Sequence, residues 1–197
     1  MFAKDFRKKA WQSLSGNWGI AILAYVLFMI VNSVASFVPL ASIVIAGPLS
    51  VGLAAVYLSI SRKEKAGVEQ LLDGTKNFVN TFVAGLLVSL FTALWTLLFI
   101  IPGIVKTYAY SMTFYILRDH PEMTASEAIN RSQEMMYGNK WKLFCLHFSF
   151  IGWLLLSVLT CGLLTFMVVP YIEQAQAEFY RHLIGESDVQ EQEEVIV

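Results

Sequence analysis

Charged residues along this chain gather into four short polar segments, and three long apolar stretches separate them. Trp18 to Ser61 carries no charge, Phe78 to Leu117 carries only Lys106, and Leu143 to Ile172 carries only the ionisable His147. Glu173 follows at once. A membrane-spanning helix takes roughly 20 apolar residues, so each stretch is too long for one crossing and about right for two. The pattern predicts an all-α polytopic membrane bundle of six spans. They form three helical hairpins over 18–61, 78–117 and 141–184.

Positive charge sets the orientation. Lys4, Arg7, Lys8 and Lys9 precede the first stretch, and Arg62, Lys63, Lys65 and Lys76 separate the first from the second. Arg118, Arg131, Lys140 and Lys142 separate the second from the third, and Arg181 follows the last. Basic residues favour the cytoplasmic side. Four basic segments on one side require paired crossings, with both termini cytoplasmic. The reversals then fall around Val38–Ala41, Phe99–Gly103 and Thr160–Leu163, uncharged and marked by Pro39, Pro102, Gly103 and Gly162.

The hairpins also echo one another. Each opens with glycine, polar residues and an aromatic: Gly16-Asn17-Trp18, Gly74 through Phe78, and Gly138 through Trp141. A proline follows in each (Pro48, Pro102, Pro170), and then a tyrosine (Tyr57, Tyr115, Tyr180). Duplication and convergence on a common hairpin boundary explain the echo equally well. Short helices are expected before each glycine, over Phe2–Leu14, Ala66–Asp73 and 124–137, with the glycine ending each. Trp18 and Trp141 read as interfacial anchors. Gly19, Gly47 and Gly52, with Ala54 and Ala55, suggest close helix approach.

Residues 1–184 thus form a single membrane domain with cytoplasmic amphipathic helices over 2–14 and 124–137. The first sets Phe2, Phe6, Ala10 and Leu14 on one face, suited to an anionic leaflet, or is an ordinary juxtamembrane basic cluster. The second opens with the capping-box pattern Thr124-Ala-Ser-Glu127. Its apolar side either packs on the bundle or offers Ile129, Met135 and Met136 as an adaptable binding face. The tail over 185–197 is acidic and expected to be disordered.

Composition agrees: 56% of residues are hydrophobic and 15% charged, against about 25% charged in soluble domains. The net charge of −1 argues against a general nucleic-acid binder, which carries a basic stripe or patch. Cys145 and Cys161 fall in one predicted helix about 24 Å apart at 1.5 Å per residue, too far to bridge. The first apolar run is longer than a signal-peptide core and a second follows, so it reads as a retained span.

Few residues offer chemistry. A charge inside a span is costly unless paired, hydrated or able to snorkel. Lys106 lies four residues after Pro102 and Glu173 three after Pro170. At matched depth they form either an intramembrane ion pair or a transport site, or each serves structure alone. His147 suits a hydrogen bond to a neighbouring helix. Arg118-Asp119-His120-Pro121-Glu122 reads as a turn. No nucleophile elbow, P-loop, dinucleotide-binding glycine pattern or zinc motif is present. The expectation is a non-enzyme with no catalytic residue, cofactor or metal.

The run from Ser132 to Phe144, the run Leu146 to Trp153, Pro170-Tyr171 with Ala175, Ala177 and Phe179-Tyr180, and Leu14 through Trp18 resemble a known family. It comprises small multi-pass integral membrane proteins of Gram-positive bacteria, catalogued as a domain of unknown function. The resemblance implies the bacterial plasma membrane and carries no activity. A fainter similarity is to the membrane domain of some glycerophosphodiesterases, which implies lipid. The resulting expectation is a membrane-embedded binding or scaffold protein acting through its cytoplasmic face. Its partners would be membrane lipids and a membrane or cytoplasmic protein. The alternative is a small transporter or lipid-moving protein using Lys106 and Glu173.

Overall fold

The computed structural model describes residues 3–37, 41–98, 100–160 and 162–186. Among them every regular element is helical. The expected reversals at Val38–Leu40 and Phe99, together with Cys161 and the acidic tail from residue 187, lie outside the described residues.

Helix α1 (Ala3–Leu14) repeats apolar residues every four positions, and Phe6, Ala10 and Leu14 are all buried. They pack on α11 (Thr165–Leu183), where the Phe6 ring lies 5.1 Å from that of Phe179. Full burial of a large apolar side chain stabilises a fold by roughly 1.5–3 kcal/mol. The apolar face expected to lie on a leaflet is therefore turned onto the protein. Gly16, at φ +91°, ends this helix and lets α2 (Trp18–Ala35) begin.

Helices α2 and α3 (Ala41–Ser61) run antiparallel, since Tyr57 near the end of α3 donates to the carbonyl of Ala21 near the start of α2 (3.2 Å). From Gly47 onward α3 is almost wholly buried. It is the central helix. A Cβ at Gly85 would lie 2.6 Å from the Gly47 Cα, and one at Gly47 would strike the Thr81 carbonyl. Here α3 and α5 (Phe78–Leu98) cross with their backbones in contact. Gly52 likewise abuts Leu71, whereas Gly19 faces open space and supports no close approach.

The helix expected over Ala66–Asp73 is instead a 3-10 turn at Val68–Leu72 followed by the single-turn α4 (Asp73–Lys76). Gly74 lies inside α4 rather than ending a helix, because its missing side chain admits the Pro48 carbonyl.

Helix α6 (Ile100–Tyr110) turns back along α5, and the chain breaks at Ser111–Met112 before α7 (Thr113–Asp119). A buried serine braces this break. Ser132 of α8 (Ala125–Met135) donates to the Ala109 carbonyl (2.8 Å) and accepts from the Met112 N–H (3.2 Å). The break between α9 (Lys140–Phe148) and α10 (Ile151–Leu159) is braced from α1, where Arg7 donates to the Ser149 carbonyl (3.1 Å). Backbone groups freed inside a bundle need such partners. The capping box at Thr124 forms as the sequence predicts.

Among the described residues four helical segments are long and apolar enough to cross a membrane: Trp18–Ala35, Ala41–Ser61, Phe78–Leu97 and Lys140–Leu159, the last running through α9 and α10. The return arms α6 and α11 fall short, one by its 11 residues and the other by its charges. Leu23, Ile30 and Val34 on α2, Leu90 and Leu94 on α5, and Leu155 and Leu159 on α10 are exposed. Apolar surface of this extent suits hydrocarbon rather than water.

Candidate functional site

A cavity of about 520 Å³ opens between α2, α3, α5, α6, α7, α9 and α11. Its walls are chiefly apolar and aromatic, with Phe28, Leu53, Val88 and Phe114 among them. Glu173 and Gln176, one turn apart on α11, supply polar groups from one side, and His147 of α9 supplies another. Glu173 lies eight residues into α11, about 12 Å along its axis at 1.5 Å per residue. The side chain is half-buried. Among the described residues none donates a hydrogen bond to its carboxylate.

His147 Nδ1 lies 3.4 Å from the Tyr108 hydroxyl on α6, and His147 Nε2 is buried without a protein partner. That contact matches the helix-to-helix hydrogen bond expected of this histidine. Gln176 Nε2 donates to the Ser111 carbonyl (3.4 Å), one of the groups loosened by the α6–α7 break. The broken helix therefore forms part of the cavity wall.

Lys106 is not Glu173's partner. Its Nζ donates to Gln133 Oε1 of α8 (3.1 Å) and sits 5.4 Å from the Trp95 ring centre and 5.8 Å from that of Tyr110. Proline spacing fixes the depth of both residues but not the direction in which each helix face points. The expected binding face is also taken up: Ile129 and Met136 are buried and Met135 is half-buried against the core. A stripe that packs internally presents nothing to a partner. Of the two expected interfacial anchors, Trp141 is exposed and Trp18 is half-buried with its ring 5.2 Å from that of Trp11.

A second polar centre joins the ends of α3, α7 and α11. Arg62 donates two hydrogen bonds to Asp119 (2.8 and 2.7 Å) and two to Glu186 (2.9 and 2.6 Å). Tyr180 donates to Asp119 (3.1 Å). Arg181, buried, donates to the Ser61 carbonyl at the end of α3 (2.6 Å) and to Glu178 (3.4 Å), and Ser13 of α1 donates to Glu178 (2.6 Å). Burial alone would raise the Asp119 carboxyl, but the hydrogen bonds and charge of Arg62, with Arg118 and Tyr180, hold it below its ordinary value.

Sequence reasoning missed this centre. Asp119 reads as one residue of a turn and Arg62 as one of several loop cations. The usable signal was Gln174, Glu178 and Arg181, which recur on one face of α11 where an exposed helix end has no need of a stripe. Gln174, with its amide oriented to satisfy both neighbours, donates to the Tyr57 carbonyl and accepts from the Ser61 N–H. Among the described residues no three potential metal ligands cluster.

Residues 97–187 match the model of a family described as Protein of unknown function (DUF975). No curated protein and no solved structure matches this chain. The DUF975 segment begins in α5 and runs through α11, so it contains Lys106, His147, Glu173 and both helix breaks. It omits α1, α2, α3 and most of α5; α2, α3 and α5 supply the rest of the cavity wall, and α1 supplies the Arg7 brace.

Proposed function

We propose that this protein is a non-enzymatic, membrane-embedded binding protein that carries a small ligand through the Glu173 cavity. The carrying observation is the Glu173 carboxylate, which lines a ligand-sized space and has no hydrogen-bond donor among the described residues. Binding cavities typically measure about 300–1,000 Å³, with apolar walls and a few convergent polar groups, and this one has that form. Ionisable groups at membrane depth mark ligand or ion pathways by default. The scaffold reading has less support, because α1 and α8 turn their apolar faces inward.

The proposed setting is the plasma membrane of a Gram-positive bacterium, with lipids as constant partners. The chain crosses six times as three hairpins, and both termini are cytoplasmic. The positive segments support that orientation, and the α6–α7 and α9–α10 breaks favour discontinuous helices at a site over simple spans.

Access to the cavity tests the reading. Ser111→Cys or Thr107→Cys, in a chain carrying Cys145→Ser and Cys161→Ser, should react with a small aqueous methanethiosulfonate reagent. Right-side-out and inside-out vesicles should both label, and Ala54→Trp should suppress labelling. Reaction from one face only would overturn passage; no reaction would remove the cavity as a site.

A further inference from the structure

We infer that the cavity selects a monovalent organic cation, a quaternary ammonium or phosphonium centre carrying apolar substituents. This rests on the reading that the Glu173 cavity is the ligand site.

Charge comes first. Among the described residues Glu173 is the one carboxylate that lines the space, and no lysine or arginine does. Lys106 of α6, which is not a lining residue, is held by Gln133, Trp95 and Tyr110. An anionic head group would meet a carboxylate with no cation to offset it, whereas a cation would find its counter-charge in place. One carboxylate also sets the valence. Calcium takes about six to eight oxygen ligands and magnesium demands near-octahedral oxygen coordination. The remaining polar groups here, including His147, Gln176 and Ser50, do not make such a cage.

The walls complete the fit. Phe28, Tyr108, Phe114 and Tyr115 ring the space, and aromatic faces attract weakly hydrated cations through their quadrupoles. A strongly hydrated inorganic ion would gain little from such walls. A cation whose charge is wrapped in carbon would gain from both the rings and the apolar residues Leu53 and Val88. The volume of about 520 Å³ leaves room for several substituents.

Tetraphenylphosphonium and tetraphenylborate share one shape and differ in sign, and triphenylphosphine oxide is a neutral relative. Their equilibrium binding to the full chain in lipid nanodiscs, corrected with empty nanodiscs, decides the point. Phosphonium should bind saturably, and borate should not compete. Glu173→Gln should weaken phosphonium by at least about tenfold, one decade in Kd, while Glu173→Asp retains it and Ala54→Trp abolishes it. Borate binding as tightly as phosphonium, or unaltered phosphonium binding by a folded Glu173→Gln variant, would overturn cation selection. Binding of the phosphine oxide that Ala54→Trp removes would then leave the cavity reading intact. If none of the three probes binds in an Ala54→Trp-sensitive way, the cavity reading falls as well. The phosphonium–borate comparison on the unmodified chain needs no variant, so it holds even where a substitution unfolds the bundle.

Discussion

Arg62 and Asp119 meet as a two-pronged pair, Nη1 to Oδ1 at 2.8 Å and Nη2 to Oδ2 at 2.7 Å. The pair fastens the end of α3 to the end of α7, and its side chains are only 15% and 11% exposed. Removing one partner of a buried pair strands the other charge, at a cost of roughly 3–5 kcal/mol. Arg62→Ala should therefore destabilise the protein by about 3 kcal/mol, the low end of that range, because the pair retains some solvent contact. Thermal unfolding in detergent measures it. A loss below about 1 kcal/mol would mean the pair behaves like an exposed surface bridge.

The same pair gives a pH dependence. Asp119 lies below its ordinary value in the folded protein, while an unfolded aspartate titrates at about 3.9. As pH falls the unfolded chain takes up this proton first, so acid favours unfolding. The contribution is fully present well above the unfolded value and is lost as pH falls through the lower, folded value. Melting temperatures of the natural chain and Asp119→Asn should converge as pH drops below about 4. A constant difference down to strong acid would exclude the linkage.

Gly47 and Gly19 should respond in opposite ways to the same change. Gly47→Ala forces α3 from the Thr81 backbone, and overpacking of this kind costs about 1–3 kcal/mol. Gly19→Ala meets nothing within 4 Å, so it should be neutral or gain up to about 1 kcal/mol of helix propensity. Unfolding of both variants against the natural chain checks the contrast.

Lys106 and Glu173 should act independently. A double-mutant cycle of Lys106→Gln with Glu173→Gln should give a coupling within about 0.5 kcal/mol, as for separated sites. The cycle of Lys106→Gln with Trp95→Leu should give about 0.5–1 kcal/mol from the lost cation–ring contact. A charge swap between Lys106 and Glu173 should restore nothing. Restoration would show that the two groups meet.

The Thr124 capping box should be worth a measurable fraction of helix α8. Thr124 accepts from the Glu127 N–H (3.4 Å), and Glu127 accepts in return from the Thr124 N–H (2.8 Å). The Thr124 N–H and, with it, the Thr124 hydroxyl (2.8 Å) donate to the Glu127 carboxylate and hold it below its ordinary value. Thr124→Ala should cost about 1 kcal/mol and speed hydrogen exchange over Ala125–Met135. Unchanged exchange there would mean that packing alone holds the helix.

Local rules made much of this molecule legible in its sequence. The segregation of charge predicted an all-helical membrane bundle, and among the described residues four helical segments, against the six spans expected, are long and apolar enough to cross a membrane. The Thr124-x-x-Glu127 spacing wrote the α8 cap, and Gly16 and Gly138 marked helix ends with positive φ. All of these depend on neighbours a few residues apart, so sequence spacing is enough to state them. Depth along a helix was legible in the same way, which is why Lys106 and Glu173 looked matched. The direction each helix faces was decided only in three dimensions, by which ridges and glycines packed together. Contact between Gly47 and Gly85 set the α3–α5 crossing, inward packing closed the Ile129 and Met136 stripe, and two helix breaks found braces in Ser132 and Arg7. The cavity and the Arg62–Asp119 centre exist only where those choices coincide. They join residues from opposite ends of the chain, and no periodicity records that distance.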